Sequence, residues 1–256
     1  MELNKIYNEN CLDTMSNIES DFIDLTVTSP PYDNLRKYNG YSFEFEKIAD
    51  ELYRVTKKGG ILVWVVGDQT SKGSESGTSF KQALYFKSIG FNLHDTMIYR
   101  KKNYIPLTHK RYEQEFEYMF IFSKGKPKTF NPIMVECKNK GKRVKNRTFY
   151  QTSDQDTPTP DNTKNPVSDF KQKGNVWDIA TNSGVKGHPA QFPEQLANDH
   201  IISWSNENDI VYDPFCGSGT TPKMAILNNR KYIASELSNK YFNITLDRIN
   251  NLKSDN

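Results

Sequence analysis

At 256 residues with 36% hydrophobic side chains, the chain can build one sizeable core and still carry an insertion. A mean hydropathy of −0.76 puts the remainder in strongly polar loops, and a net charge of +3 permits a nucleic-acid partner without arguing for one. Cys11, Cys137 and Cys216 form no CxxC pair, which argues against a disulfide framework and a structural zinc site. No apolar run is long enough to span a bilayer, and MELNKIYNEN lacks the charged-then-apolar layout of a signal peptide. A soluble intracellular protein is expected.

In chain order, Ile23, Leu25 and Val27 alternate with Asp24, Thr26 and Thr28, the period of a strand that runs straight into TSPPY (28–32). That loop therefore falls at the carboxyl end of a strand, where open α/β sheets bind ligands. Phe45, Ile48, Leu52 and Val55 recur at helical spacing and stop at Gly59-Gly60. The unbroken apolar run 61–66 reads as a strand covered on both faces, so strand, helix, strand predicts a parallel sheet. Residues 70–79, TSKGSESGTS, read as a mobile loop, and a helix is expected over 80–88. Stretches 91–99 and 116–124 read as two further strands, joined by a basic segment over 100–111.

From about Phe130 to Asn175 the periodicity disappears, and CKNKGKRVKNRTFY carries six basic residues with no acid. This divides the chain into residues 1–129, an inserted segment 130–175 and residues 176–256. Order returns at NVWDI, and a helix is expected to begin near Pro193, a residue favoured in a first turn. DIVYDPF is a strand, 221–229 a helix and 231–237 the next strand. Ser238 then caps a last helix with Phe242, Leu246, Ile249 and Leu252 on one face.

Two of these junctions carry chemistry. In DPFCGSGTT (213–221), Gly217 and Gly219 let the backbone turn tightly and approach a ligand without intervening Cβ atoms. Glu236 ends the following strand about 20 residues later, where a carboxylate accepts hydrogen bonds from ribose hydroxyls. There is no GxxxxGK[ST], so the loop is not a P-loop phosphate cradle. In SPPY (29–32), the Ser29 hydroxyl and Pro30 carbonyl are candidate hydrogen-bond acceptors. Pro30 and Pro31 stiffen the loop and remove two competing N–H donors, and Tyr32 offers an aromatic face.

The pair of motifs, with the catalytic one first, resembles the beta group of amino-methylating DNA methyltransferases. The resemblance runs from about Ile6 to Ile249, leaving about 45 central residues unmatched. It implies an α/β, Rossmann-like, S-adenosylmethionine-dependent methyltransferase fold that is circularly permuted. Its sheet should be mostly parallel, with an antiparallel hairpin and an inserted target-recognition segment. Residues 1–129 become the catalytic half and 176–256 the cofactor-binding half. The implied cofactor is S-adenosyl-L-methionine, held by Asp213, Pro214, Phe215, Gly217, Ser218, Gly219, Thr220 and Glu236. HPAQFPEQL resembles the segment beside the methionine end of the cofactor, which adds His188, Phe192 and Pro193, with a structural role preferred for His188 over that of a base. The family's adenine contact is an acidic residue near the N-terminus. Here the corresponding stretch, IYNENCLD, offers Asn10 and Cys11, a departure from that pattern.

The implied substrate is double-stranded DNA, with the target base extruded because its amine lies inside the duplex. No covalent nucleophile and no metal is needed. Lys101, Lys102, Lys110 and Arg111, with Lys138, Lys140, Lys142, Arg143, Lys145 and Arg147, are expected to meet phosphates. Serine at the first SPPY position resembles enzymes acting on the cytosine 4-amino group, with the adenine 6-amino group as the alternative. An RNA or protein-amide methyltransferase and a catalytically dead DNA-binding protein are the lesser readings. A homodimer, a cognate restriction endonuclease and a bacterial or phage-infected cytoplasm are implied by the resemblance alone.

Overall fold

A computed structural model describes residues 1–31, 43–104, 110–142, 167–181 and 192–254. The chain divides into two compact units, Met1–Asn131 with Asn175–Asn256, and Pro132–Gly174.

The first unit opens with strand β1 (Lys5–Tyr7) and helix α1 (Cys11–Ser16), neither of which was read from the sequence. Both are too short to show a period; α1 is started by Asn10, whose side chain accepts the Leu12 N–H at 2.9 Å. Strand β2 (Ile23–Thr28) follows, then helix α2 (Phe45–Val55) and strand β3 (Thr56–Val66). The apolar and polar alternation in β2 does not mark a solvent face, because Thr26 and Thr28 are fully buried. Only Asp24 keeps some exposure, and its carboxylate takes the Lys57 Nζ and the Ile210 N–H. Helix α2 buries Ile48, Ala49, Leu52 and Val55. It ends four residues before Gly59-Gly60 because Thr56, already extended, pairs with Ile23 and returns its hydroxyl to the Leu52 carbonyl. Gly59, at φ +81, instead marks an irregularity inside β3, where a Cβ would stand 2.9 Å from that of Lys128.

Residues 70–79 are not an unstructured loop. Strands β4 (Thr70–Ser71) and β5 (Ser74–Glu75) form a ribbon whose two turn residues, Lys72 and Gly73, both have positive φ. Asp68 fastens it to the next helix, α3 (Thr78–Ser88), by accepting from the Ser76 hydroxyl and the Ser79 N–H. Strands β6 (Asn92–Lys101) and β7 (Phe116–Ser123) form the expected antiparallel pair. In the second unit, strands β8 (Met134–Glu136) and β9 (Phe170–Gln172) pair antiparallel, order that three-residue strands far apart in sequence do not announce.

Back in the first unit come strand β10 (Val176–Ile179), helix α4 (Glu194–Trp204), strand β11 (Ile210–Asp213), helix α5 (Thr220–Leu227), strand β12 (Lys231–Ser235) and helix α6 (Asn239–Ser254). Eight strands make one sheet in the order β1-β12-β11-β2-β3-β7-β6-β10. Every neighbouring pair is parallel except those that β7 makes with β3 and β6. From β11 the chain moves outward through α5 to β12, and from β2 it moves the opposite way through α2 to β3. The strand order therefore reverses between β11 and β2, and the crevice outside their carboxyl ends is where such a sheet binds ligands. Over the sheet, Trp64 anchors an aromatic cluster with Phe45, Phe86 and Phe215. Its indole N–H donates to Gln82 at 2.8 Å, so the ring is buried without an orphaned donor.

Candidate active site

The two motifs meet at the reversal. Thr28 ends β2 and Asp213 ends β11, and the Thr28 hydroxyl donates to Asp213 Oδ1 at 2.7 Å across 185 residues of sequence. The same oxygen takes the Phe215 N–H at 3.1 Å. A second tie runs from the Thr221 hydroxyl to the Val27 carbonyl at 3.1 Å. Burial lifts the Asp213 carboxyl to about 6, while the hydrogen bonds from Thr28 and Phe215 favour the charged form. Asp213 thus faces into the protein as the clamp between the two loops.

The loop after β11 is closely packed. Pro214, Cys216, Ser218, Gly219 and Thr220 are buried, while Phe215 and Gly217 keep part of their surface. Burial pushes the Cys216 thiol well above its usual range, consistent with a packing role. Gly219 has φ +78, and a Cβ there would fall 2.5 Å from the Thr245 methyl. Glu236 follows β12, its Oε2 taking the Gly217 N–H and its Oε1 the Ser238 N–H, each at 2.8 Å. Burial raises this carboxyl to about 7 against those two donors. Each oxygen keeps a second lone pair for a ligand hydroxyl. Asn8, just after the adjacent β1, donates to the Glu236 backbone carbonyl at 2.8 Å.

On the other side, Ser29 and Pro31 are partly exposed and Pro30 is buried. Tyr32 and His188 lie outside the described residues, as do Arg143, Lys145 and Arg147. Asn10 spends its side-chain oxygen on capping α1, and Cys11 is a core residue whose thiol burial pushes to about 12. Phe192 is partly exposed; Pro193 is buried and stands as the cap of α4, one position before the first turn where it was expected.

The candidate phosphate contacts differ among themselves. Lys101 is already paired with Glu117 at 2.7 Å, and Arg111 reaches the Gly73 carbonyl and Glu75. Lys102 and Lys110 are exposed. In the second unit Lys138, Lys140 and Lys142 are exposed, with Lys140 3.7 Å from Glu136. Among the described residues no group of three or more His, Cys, Asp or Glu is disposed to hold a metal.

Sequence reasoning missed the polar supports of the loop. Thr245 and Arg248 of α6 reach its carbonyl groups, and Glu194 and Lys223 continue the network. The one available signal was Thr245-x-x-Arg248, which puts two polar side chains on neighbouring turns of a helix read as apolar on one face.

The α/β sheet brings the glycine turn after β11 and Ser29–Pro31 after β2 to the same reversal of strand order. A family model described as DNA methylase matches residues 23–247, and the chain belongs to that N6/N4 DNA methylase family. It is 56% identical over 245 residues to the orphan methyltransferase M.BamHII of Bacillus amyloliquefaciens, covering 92% of this chain and 91% of that one. It is 28% identical to the DNA adenine methyltransferase YhdJ of Escherichia coli strain K12, over 97% of this chain and 83% of that one. Among solved structures, the PvuII cytosine-N4-specific DNA methyltransferase superposes with a TM-score of 0.71 at 20% identity, covering 94% of this chain and 84% of that one. A putative DNA modification methylase of Thermus thermophilus, in complex with S-adenosyl-L-methionine, gives 0.63 at 21% identity over 95% of this chain and 93% of that one. These likenesses bear out the fold expected from the motifs. Among the described residues no helix is long and apolar enough to cross a membrane.

Proposed function

We propose that the chain transfers a methyl group from S-adenosyl-L-methionine to an exocyclic amine of a base in duplex DNA, with the cytosine 4-amino group favoured. The observation that carries this reading is the Thr28–Asp213 hydrogen bond, which brings the start of SPPY against the glycine loop. The buried, partly satisfied carboxylate of Glu236 fits a ribose whose hydroxyls donate to it, and Phe215 and Gly217 offer the open surface beside it. When bound, the cofactor supplies an electrophilic methyl group on a sulfonium sulfur.

The protein's part is alignment and polarisation. A base amine is a weak nucleophile because its lone pair is delocalised into the ring. Hydrogen bonds from the amine to the Ser29 hydroxyl and Pro30 carbonyl draw the nitrogen toward tetrahedral geometry and aim its lone pair at the methyl carbon. Transfer to that nitrogen would leave the S–C bonding pair on sulfur, and the proton the amine gives up would pass through the partly exposed Ser29 hydroxyl to solvent. Tyr32 stacks the extruded base, and the lysines of the second unit contact phosphates. Ser29 supports cytosine. The similarity to a DNA adenine methyltransferase over 97% of this chain supports the adenine 6-amino group as the second reading.

Nucleoside mass spectrometry of DNA from a methylation-free host expressing the chain tests this. A 4-methylcytosine peak is expected. A 6-methyladenine peak instead overturns the base assignment, and the absence of both, with the protein folded and binding cofactor, overturns DNA as substrate. Ser29→Ala is expected to lower turnover about 10²-fold while cofactor binding survives.

A further inference from the structure

The last helix holds the glycine loop by its carbonyl groups. Thr245 donates its hydroxyl to the Gly217 carbonyl at 2.7 Å. One turn on, Arg248 Nη1 donates to the Ser218 carbonyl at 2.7 Å and to the Thr220 hydroxyl at 3.2 Å. Two consecutive peptide planes of the loop are therefore fixed from one helix face, by residues at i and i+3. The other nitrogen of the guanidinium, Nη2, donates to Glu194 Oε1, in the first turn of α4. Lys223 of α5 donates to the same oxygen at 2.7 Å. Burial works to raise the Glu194 carboxyl, but the bonds from Lys223 and Arg248 outweigh it and hold the group below its usual value. The Arg248 side chain is only 15% exposed, so it is committed to these partners rather than to solvent.

This arrangement joins three places: the loop read as the cofactor turn, the start of the helix that follows HPAQFP, and the last helix. A planar guanidinium is suited to the junction because it donates in two directions from a fixed fork, which a lysine cannot do. The glycine turn itself is conformationally permissive, with φ +52 at Gly217 and +78 at Gly219. Something outside the loop has to hold its peptide planes, and the polar face of α6 does so.

We propose that Arg248, anchored by Glu194, is a positioning residue that preorganises the glycine loop for S-adenosyl-L-methionine. The role assigned to Arg248 is exerted through the Ser218 and Thr220 positions that it holds. The inference rests on the cofactor reading given above. Its effect belongs to binding, because preorganisation removes the cost of ordering the loop when the ligand arrives.

The test is cofactor affinity by calorimetry, with steady-state kinetics and a thermal melt, on the wild type, Arg248→Met, Arg248→Lys and Glu194→Gln. Arg248→Met is expected to raise Kd and KM for the cofactor about tenfold or more, with kcat at saturation within about threefold. Arg248→Lys should recover part of the loss, since it keeps the charge toward Glu194 and loses the fork. Glu194→Gln should fall between wild type and Arg248→Met, and it remains a test if Arg248→Met does not fold. Folded Arg248→Met and Glu194→Gln proteins with wild-type Kd and KM overturn the proposal alone. A fall in kcat with unchanged KM also overturns it. A wild type that binds no cofactor overturns the underlying reading and the proposal with it.

Discussion

The two loops at the sheet reversal are built on opposite plans. The loop after β11 turns nearly all of its polar groups inward, to Asp213, Glu236, Thr245 and Arg248, and leaves Phe215 and Gly217 as its open surface. The loop after β2 is tied from behind at Thr28, and its first chemical residue, Ser29, stands partly exposed immediately beyond. A socket for an unvarying cofactor gains from rigidity, because the same shape is needed at every turnover. On the proposed reading the other loop receives a base leaving a duplex, and it gains from being fixed at its root with Ser29 forward.

The contrast breaks most severely at Gly219. Gly219→Ala places a Cβ 2.5 Å from the Thr245 methyl on a left-handed backbone, so a loss of about 3 kcal/mol in stability and near-complete loss of cofactor binding are expected. A thermal melt and calorimetry check both, and a wild-type melt would mean that α6 gives way to the methyl group.

Cutting the tie between the loops should cost less and fall on the other side. Thr28→Val leaves buried Asp213 short of a donor, for a loss of about 1–3 kcal/mol. Turnover should drop about tenfold from misplacement of the SPPY root, with cofactor Kd changed by no more than about threefold. Equal losses in Kd and kcat would show that the two loops behave as one piece.

Acidity sharpens the cofactor side. The folded Glu236 carboxyl, at about 7, lies above its ordinary value of 4.5. A raised carboxyl favours the unliganded fold while it is protonated, and that contribution is lost as pH climbs from the unfolded value through the folded one. Ribose hydroxyls donating to the carboxylate prefer the charged form, so cofactor binding should tighten as pH rises, by about tenfold between pH 6 and pH 8. A Kd flat across that range would remove Glu236 from ribose recognition.

The smallest effects concern the basic residues. Lys138→Ala and Lys142→Ala should each reduce the salt dependence of DNA binding by about one unit of slope. Lys101→Ala should leave that slope almost unchanged, because Glu117 already balances its charge. A full unit lost at Lys101 would mean that the ion pair opens when DNA binds.

Much of the fold was legible where the signal is local. The run 61–66 and the stretches 91–99 and 116–124 are strands near the places read for them, because unbroken apolar runs and glycine punctuation act within a few residues. The end of α2 was misread because Gly59-Gly60 looks like a helix stop, while pairing of Thr56 with Ile23 ends the helix sooner. The ribbon at 70–75 was missed because its strands are two residues long, below any period. In α6 the buried positions among the described residues are Thr245 and Ile249, since the helix packs polar side chains on a polar loop.

By itself the sequence determined the class of molecule: an α/β sheet, a glycine turn followed by Glu236, and an SPPY loop ending a strand. Those are properties of short segments, set by backbone freedom at glycine and proline and by apolar spacing. Only the tertiary structure decided what the polar residues of the site do. Asp213 became a clamp, Asn10 a helix cap, Cys11 a core residue and Arg248 a brace, because the partner that makes burial of a polar group tolerable lies far along the chain or on another element.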